Sequence, residues 1–353
     1  MPDLNSPDPL QRWKLYRALR TPGNALAGLP APPRWRPRRV KEVLPEQERW
    51  WPQGPADDDT LPAATLQRGR SFHATEHVIE MVNAALYLRR PLLVTGQPGS
   101  GKSSLVDAVA YELRMGAPLR WNVTSRSTLR DAQYHYDAIG RLQQKEGEAL
   151  PIGEYLTLGP LGTALLPSKR PRALLIDEID KSDIDLPNDL LNIFEEGEFD
   201  IPELRRLGEQ TRVEVCTSDP RQPRVWLTGG RVACHEFPLM ILTSNGEREF
   251  PAPFLRRCLR LQMPNPTGQL PEDDNKDWQR LDAVVALHFD EAERQATADV
   301  IAKFKQRAAQ GLPVATDQLL NAMYFVMSSQ VPAGDARTAV LAELMRELAA
   351  PGS

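Results

Sequence analysis

Cysteine is scarce in this sequence. Its three cysteines, Cys216, Cys234 and Cys258, are too few and too widely spaced for a disulfide framework. None stands in a C-x-x-C pair that could hold zinc, and we assign no metal site to the adjacent Cys234 and His235. Reduced thiols of this kind are typical of cytosolic proteins.

Long apolar runs and a strong charge of either sign are also missing. No apolar run reaches the length of about 20 residues that crosses a membrane. Met1–Leu10 carries acids and prolines instead of the basic patch and apolar core of a leader. The net charge of -4 gives no global attraction to nucleic acid and favours protein partners. We therefore expect a soluble, cytoplasmic protein.

The most informative motif is a glycine-rich loop that joins an apolar strand to a helix. It has the spacing G-x-x-x-x-G-K-S and, with the next residue, comprises Gly96, Gln97, Pro98, Gly99, Ser100, Gly101, Lys102, Ser103 and Ser104. Such glycines let backbone N–H groups turn inward around phosphate oxygens at a helix N-terminus. Lys102 would reach the β- and γ-phosphates, and Ser103 would place its hydroxyl on Mg²⁺. The alternative, an ordinary glycine-rich turn, does not account for the Lys-Ser pair.

A second motif ends in two acids. The residues between Arg172 and Asp177 are all apolar, as in a central parallel strand that is buried on both faces. Asp177 would bind Mg²⁺, directly or through water, and Glu178 would polarise the water that attacks the γ-phosphorus. The alternative is a solvated strand end with helix-capping acids. Together the two motifs predict hydrolysis of a nucleoside triphosphate.

These motifs resemble those of the AAA+ ATPases, over residues 69–331. Two further stretches, 121–131 and 158–166, are similar to the MoxR-like group within them. The resemblance implies an α/β fold, with a P-loop NTPase core built on a parallel sheet with flanking helices and a small α-helical lid domain. It also implies ATP and Mg²⁺ as cofactors; no residue of the sequence by itself separates ATP from GTP.

The resemblance also assigns further site residues. Residues 239–245 look like the family's next core strand, and Asn245 takes the place of its polar sensor near the attacking water. Residues 253–258 are similar to the segment whose arginine reaches the nucleotide of a neighbouring subunit. Arg257 is the better candidate and Arg256 the second, because a guanidinium can bond bidentately to a γ-phosphate. The alternative for this pair is a surface ion pair.

The chain divides by composition into three units. Residues 1–68 form an extension rich in proline and arginine, residues 69–264 form the ATPase core with a hairpin insertion at about 199–237, and residues 265–353 form the helical lid. The extension suits an assembly arm or partner tether better than a nucleic-acid contact. The lid pattern predicts helices at 277–287, 291–309, 316–328 and 336–349. No sensor arginine stands in its stretch 312–320, and Arg337 lies elsewhere.

The resemblance implies that the chain forms a homo-oligomeric ring, a hexamer, which hydrolyses ATP to remodel or chaperone a protein partner. Partners of similar proteins are often von Willebrand factor A domain proteins. Two alternatives remain open: a nucleic-acid-stimulated motor or restriction-type NTPase, and a nucleotide-gated assembly scaffold in a defence system. Tyr134–Tyr136 and the hairpin are candidates for pore contacts, with local packing as the alternative for each.

Overall fold

The computed structural model describes residues 13–43, 61–143, 150–220, 223–264, 274–310, 315–328, 340, 341 and 344. In chain order its strands are β1 (Leu92–Thr95), β2 (Leu119–Asn122), β3 (Tyr134–Tyr136), β4 (Leu156–Leu158), β5 (Ala173–Asp177), β6 (Glu198–Asp200), β7 (Arg212–Cys216), β8 (Arg224–Thr228), β9 (Arg231–Ala233), β10 (Leu239–Ser244) and β11 (Leu259–Gln262). Its helices are α1 (Ala63–Ser71), α2 (Glu76–Leu88), α3 (Ser104–Glu112), α4 (Leu129–Gln133), α5 (Ala138–Leu142), α6 (Pro160–Ala164), α7 (Leu186–Glu196), α8 (Pro202–Arg205), α9 (Ala252–Arg257), α10 (Asp274–His288), α11 (Glu291–Ala296), α12 (Ala298–Ala309) and α13 (Thr316–Met327).

The core is a parallel sheet with the strand order β11-β1-β10-β5-β2. Its central strands are continuous apolar runs because helices cover both faces. Leu92 and Val94 pack with α2 and α3 on one face, whereas Leu93 belongs to the cluster that includes α6 and α7 on the other. The expected α/β class, with a parallel sheet and flanking helices, is confirmed.

A second sheet, of order β3-β4-β7-β8, packs against this core through side chains such as Leu158 and Val215. In it β7 and β8 form the expected hairpin, with Val213 opposite Leu227 and Val215 opposite Val225. Tyr134 is buried and its hydroxyl donates to Glu203 Oε2 over 2.8 Å. Local packing, and not a pore contact, therefore explains this tyrosine.

The lid consists of α10 to α13 around a small core of its own that contains Val285, Phe304, Leu319 and Met323. The helix predicted at 291–309 is in fact two helices, and that prediction was wrong. The break falls at Thr297, whose backbone leaves the helical region and whose buried hydroxyl donates to Glu293 O over 2.8 Å. The predicted helix at 336–349 lies mostly outside the described residues, as do Arg337 and residues 311–314.

None of the helices in the described ranges has the length and apolar character of a membrane-spanning segment.

The N-terminal segment 13–43, here called the strap, packs against its own chain. The side chains of Leu15 and Tyr16 are buried in the cluster that holds α2. Asn83 of α2 accepts from Leu15 N over 2.7 Å and donates to Tyr16 O over 2.7 Å. Leu15 and Tyr16 therefore pack on α2 of the same chain, which offers an apolar surface and a buried amide, and the expected role of the extension as an assembly arm or partner tether stays a prediction. Residues 1–12 and 44–60 lie outside the described part.

The strap also covers a buried ion pair. Glu236 and Arg89 are each 3% exposed, and Arg89 Nη2 lies 3.1 Å from Glu236 Oε2. Arg38 of the strap binds the other oxygen of the same carboxylate. Burial lowers the pKa of Arg89, and Glu236 opposes that shift. The carboxylate therefore compensates two guanidinium groups, one of them out of contact with water.

Replacing Glu236 with glutamine is expected to lower the free energy of unfolding by about 3 kcal/mol, because the charge of Arg89 would stay buried without compensation. Urea-induced unfolding measures the change. The matched control is Glu154→Gln, which removes a carboxylate from the exposed pair with Arg224 and should cost much less. Equal losses in the two variants would contradict the assigned importance of burial.

Candidate functional site

The glycine-rich loop connects β1 to α3 and contains three glycines with positive φ. The values are 150° at Gly96, 72° at Gly99 and 84° at Gly101, which residues with a Cβ rarely adopt. Between them Ser100 N donates to Gln97 O over 3.2 Å, closing the turn around Pro98. The loop therefore brings its backbone to the N-terminus of α3, which is a favourable place for an anion.

Lys102 lies across this loop. Its Nζ donates to Gly96 O over 2.7 Å and to Gln97 O over 2.8 Å. Burial lowers the pKa of the ammonium, and three nearby carboxylates oppose the shift, those of Asp180, Asp177 and Glu178. A cation thus stands between the loop backbone and the acids that follow β5.

The carboxylate of Asp177 joins the two motifs. Its Oδ1 accepts from Ser103 Oγ over 2.7 Å and from Thr243 Oγ1 over 2.5 Å. A serine hydroxyl and a carboxylate in contact are hard oxygen ligands of the kind that Mg²⁺ prefers, so Ser103 and Asp177 fit the predicted metal site. Sequence reasoning gave no role to Thr243. The feature of the sequence that could have identified Thr243 is its place near the end of a core strand.

Glu178 and Asn245 follow the ends of neighbouring strands, β5 and β10. Glu178 has a φ of 59°, and its N–H donates to Thr243 Oγ1 over 2.9 Å. Its carboxylate is 45% exposed and pairs with Lys181 over 2.8 Å. Asn245 N donates to Asp180 Oδ2 over 2.8 Å, a link that sequence reasoning missed. A left-handed backbone at a residue other than glycine costs about 1–3 kcal/mol, and such strain is common at functional sites.

A cavity of about 450 Å³ opens beside the loop, between α1 and the lid. Its walls include Phe72 from the end of α1, Leu281 and Leu320 from the lid, and Ser104 from α3. This volume and the mostly apolar walls suit the base and sugar of a nucleotide. The lid approaches closely here, since a Cβ built on Gly99 would lie 2.8 Å from Asp317 Oδ1.

Alanine at Gly99 is therefore expected to weaken nucleotide binding about tenfold or more, because the added methyl group would separate the loop from the lid. Titration with a fluorescent nucleotide measures the affinity. Gly246→Ala is the matched control: its φ is also positive, at 79°, but a Cβ there meets nothing within 4 Å. If both variants bind as wild type does, the close approach has no role in binding.

The two candidate arginines end α9. Arg257 Nε donates to Glu195 Oε1 over 2.5 Å, and its Nη1 donates to Pro253 O over 3.2 Å. Arg256 is exposed, its carbonyl accepts from Arg90 Nη1 over 2.8 Å, and its guanidinium has no ion pair within the described ranges. The structure thus brings neither arginine into contact with the loop of its own chain.

Helix α7 separates the arginines from the acids. Asp185 precedes this helix shortly after the acidic motif, and Glu195, which binds Arg257, stands at its far end. With a rise of 1.5 Å per residue, the helix places these ends about 15 Å apart. The loop, the acids and Asn245 form one site, and the arginines lie on another face.

These features define a P-loop nucleotide-binding core with a helical lid. Residues 91–257 match the family described as AAA domain (dynein-related subfamily), which places an AAA ATPase domain in this core. The match spans just under half of the chain. A comparison with curated protein sequences gives no match.

Two solved structures resemble the chain weakly. NtrX from Brucella abortus in complex with ADP is 14% identical, with a TM-score of 0.42, over 80% of this chain and 58% of that one. NtrX from the same organism in complex with ATP is 12% identical, with a TM-score of 0.39, over 80% of this chain and 56% of that one. The chain thus spans less than two thirds of either structure.

Proposed function

We propose that this chain is a MoxR-like AAA+ ATPase that hydrolyses ATP within a homo-oligomeric ring and uses the energy to remodel or chaperone a protein partner. One observation supports the hydrolytic part above all others. Ser103 of the loop and Thr243 of β10 both donate to Asp177, with Glu178 beside them at the mouth of the loop. This arrangement favours a role in phosphoryl chemistry over the alternative interpretation, a solvated strand end.

Each group has a distinct role in this proposal. The loop N–H groups and Lys102 bind the phosphates of ATP, and Ser103 and Asp177 hold Mg²⁺, which neutralises developing charge when bound. Glu178 polarises the attacking water, since its carboxylate is half exposed and not held by the hydroxyl groups that bind Asp177. Asn245 helps to position that water from the next strand.

The position of the arginines supports the proposed assembly. Because α7 separates them from the acids of their own chain, they reach a phosphate only in another copy. Contact between two different faces is head-to-tail and generates a ring where the rotation closes. The hexameric order and a von Willebrand factor A domain partner rest on the resemblance to MoxR-like proteins.

ATP turnover and particle mass, measured together across protein concentration, test this proposal. We expect specific activity to rise as ring-sized particles form, because each site is completed by a neighbour. Activity that does not change with concentration, in a particle of monomer mass, would refute the ring and leave a stand-alone ATPase.

The contacts of the strap argue against the alternative of a nucleic-acid-stimulated motor or restriction-type NTPase. Arg36 donates to Arg89 O, Arg38 binds Glu236, and Arg39 binds Glu196. The basic run is therefore largely used inside the chain. Turnover that single-stranded or duplex DNA stimulates, with a steep salt dependence, would restore this alternative. A pure scaffold would assemble with ATP and show no turnover above background.

A further inference from the structure

Trp35 stands out as a large side chain without a place in its own core. It is 74% exposed and occupies a turn that Arg36 N closes by donating to Pro33 O over 2.8 Å. A tryptophan side chain that is exposed to this extent is costly to leave in water. Tryptophan is also enriched among the residues that contribute most of the binding energy of protein interfaces.

The turn is held firmly on the body of the protein. Arg36 lies over the ring of Phe237, with 5.4 Å between its Cζ and the ring centroid, and binds Arg89 O. Arg38 and Arg39 bind carboxylates of the core, as described above. A rigidly presented aromatic side chain loses little entropy when it binds a partner, so Trp35 is suited to act as an anchor.

The turn lies on the face that carries the two arginines. Its neighbour Arg39 binds Glu196, and Arg257 binds the adjacent Glu195 at the same end of α7. Arg36 also lines a small cleft with both of these glutamates. An aromatic side chain, flanked by the exposed Arg34, therefore borders the surface that the proposed ring would bury.

The opposite end of α7 carries a complementary tip. There Ile184 is 65% exposed between two exposed aspartates, Asp183 and Asp185. The tip is held at Ser182, whose carbonyl accepts from Arg248 over 2.8 Å, and it follows directly on the pair of Lys181 with Glu178. An apolar side chain with acids on both sides complements an aromatic side chain beside arginine in polarity and in charge.

We propose that Trp35 of one copy of this chain packs against Ile184 of the next copy, with Arg34 beside Asp183 and Asp185. The two ends of α7 cannot meet within one chain, so the contact forms only between copies. This inference rests on the proposed ring and adds a specific anchor next to the shared nucleotide site. It also gives the strap a role in assembly, in addition to its packing on its own chain.

The test is the protein concentration at which ATP turnover is half-maximal, with particle mass measured in parallel. Trp35→Ala should raise that concentration by about tenfold or more, as expected for the loss of an interface anchor. Ile184→Ala should do the same, and the double variant should add little to either single one, because both remove one contact. At saturating protein the turnover per site should equal that of wild type.

Trp226→Ala is the matched control, since this tryptophan is 44% exposed on β8 of the second sheet, where Arg212 of its own chain lies over its ring. Its assembly should be unchanged. If wild type forms rings and Trp35→Ala forms them at the same concentration, the anchor is refuted while the ring stands. If wild type shows no assembly at all, the ring of the proposed function is itself refuted, whatever the variants do. Fully additive effects of Trp35 and Ile184 would refute their contact.

Discussion

The substitution Glu178→Gln is expected to lower ATP turnover by about 10²- to 10⁴-fold while leaving nucleotide affinity unchanged, because the amide cannot polarise the attacking water. The phosphates and Mg²⁺ would be held by the loop, Lys102 and Asp177, which the substitution does not touch. Steady-state phosphate release and nucleotide titration measure the two quantities separately.

Glu249→Gln is the control for this substitution, since it removes an exposed carboxylate a few residues beyond Asn245. Normal turnover in the Glu178 variant would remove the catalytic assignment. A loss of affinity as large as the loss of turnover would instead show that Glu178 acts in binding the nucleotide.

Alanine at Arg257 is expected to lower turnover about 10³-fold at protein concentrations where wild type is fully assembled. The cis pair of Arg257 with Glu195 does not oppose this role. The two side chains are 28% and 48% exposed, and an exposed ion pair contributes about 1 kcal/mol at most. A γ-phosphate contact worth a thousandfold in rate corresponds to about 4 kcal/mol and outweighs it.

Arg256→Ala provides the comparison within the pair, and Arg260→Ala on β11 provides an exposed control. We expect a smaller loss for Arg256 and none for Arg260. A larger loss at Arg256 than at Arg257 would reverse the assignment, in line with a guanidinium of Arg256 that forms no ion pair among the described residues. Full activity in both variants would show that neither arginine reaches a nucleotide.

The sequence predicted the loop and the acids that the structure brings together, because each of these motifs is local. The loop from Gly96 to Ser103 and the acids at the end of β5 each follow from a short motif next to an apolar run, whereas Asn245 was assigned from the resemblance to AAA+ ATPases. The contact of Thr243 with Asp177 could not be predicted in this way, since it depends on β10 pairing with β5 across a long stretch of chain.

Other features could not be predicted from the sequence for a related reason, since they too depend on the surroundings and not on a local motif. The sequence predicted an assembly arm or partner tether with little regular structure, because of its prolines, and gave no sign that Leu15 and Tyr16 are buried against α2 of the same chain. The break at Thr297 was hidden within a helical pattern that continues on both sides. The nucleotide-sized cavity combines α1, the loop and the lid, and no local pattern reports on how such distant elements meet.

In the proposed ring, two copies of the chain build each catalytic site, and this claim can be tested by mixing two inactive variants. Arg257→Ala keeps an intact loop, and Lys102→Ala keeps an intact arginine. If the arginine acts on a neighbour, mixtures of the two should recover part of the wild-type turnover, with a maximum at intermediate ratios. A mixture that stays as inactive as its components at every ratio, while particles of mixed composition form, would contradict the claim.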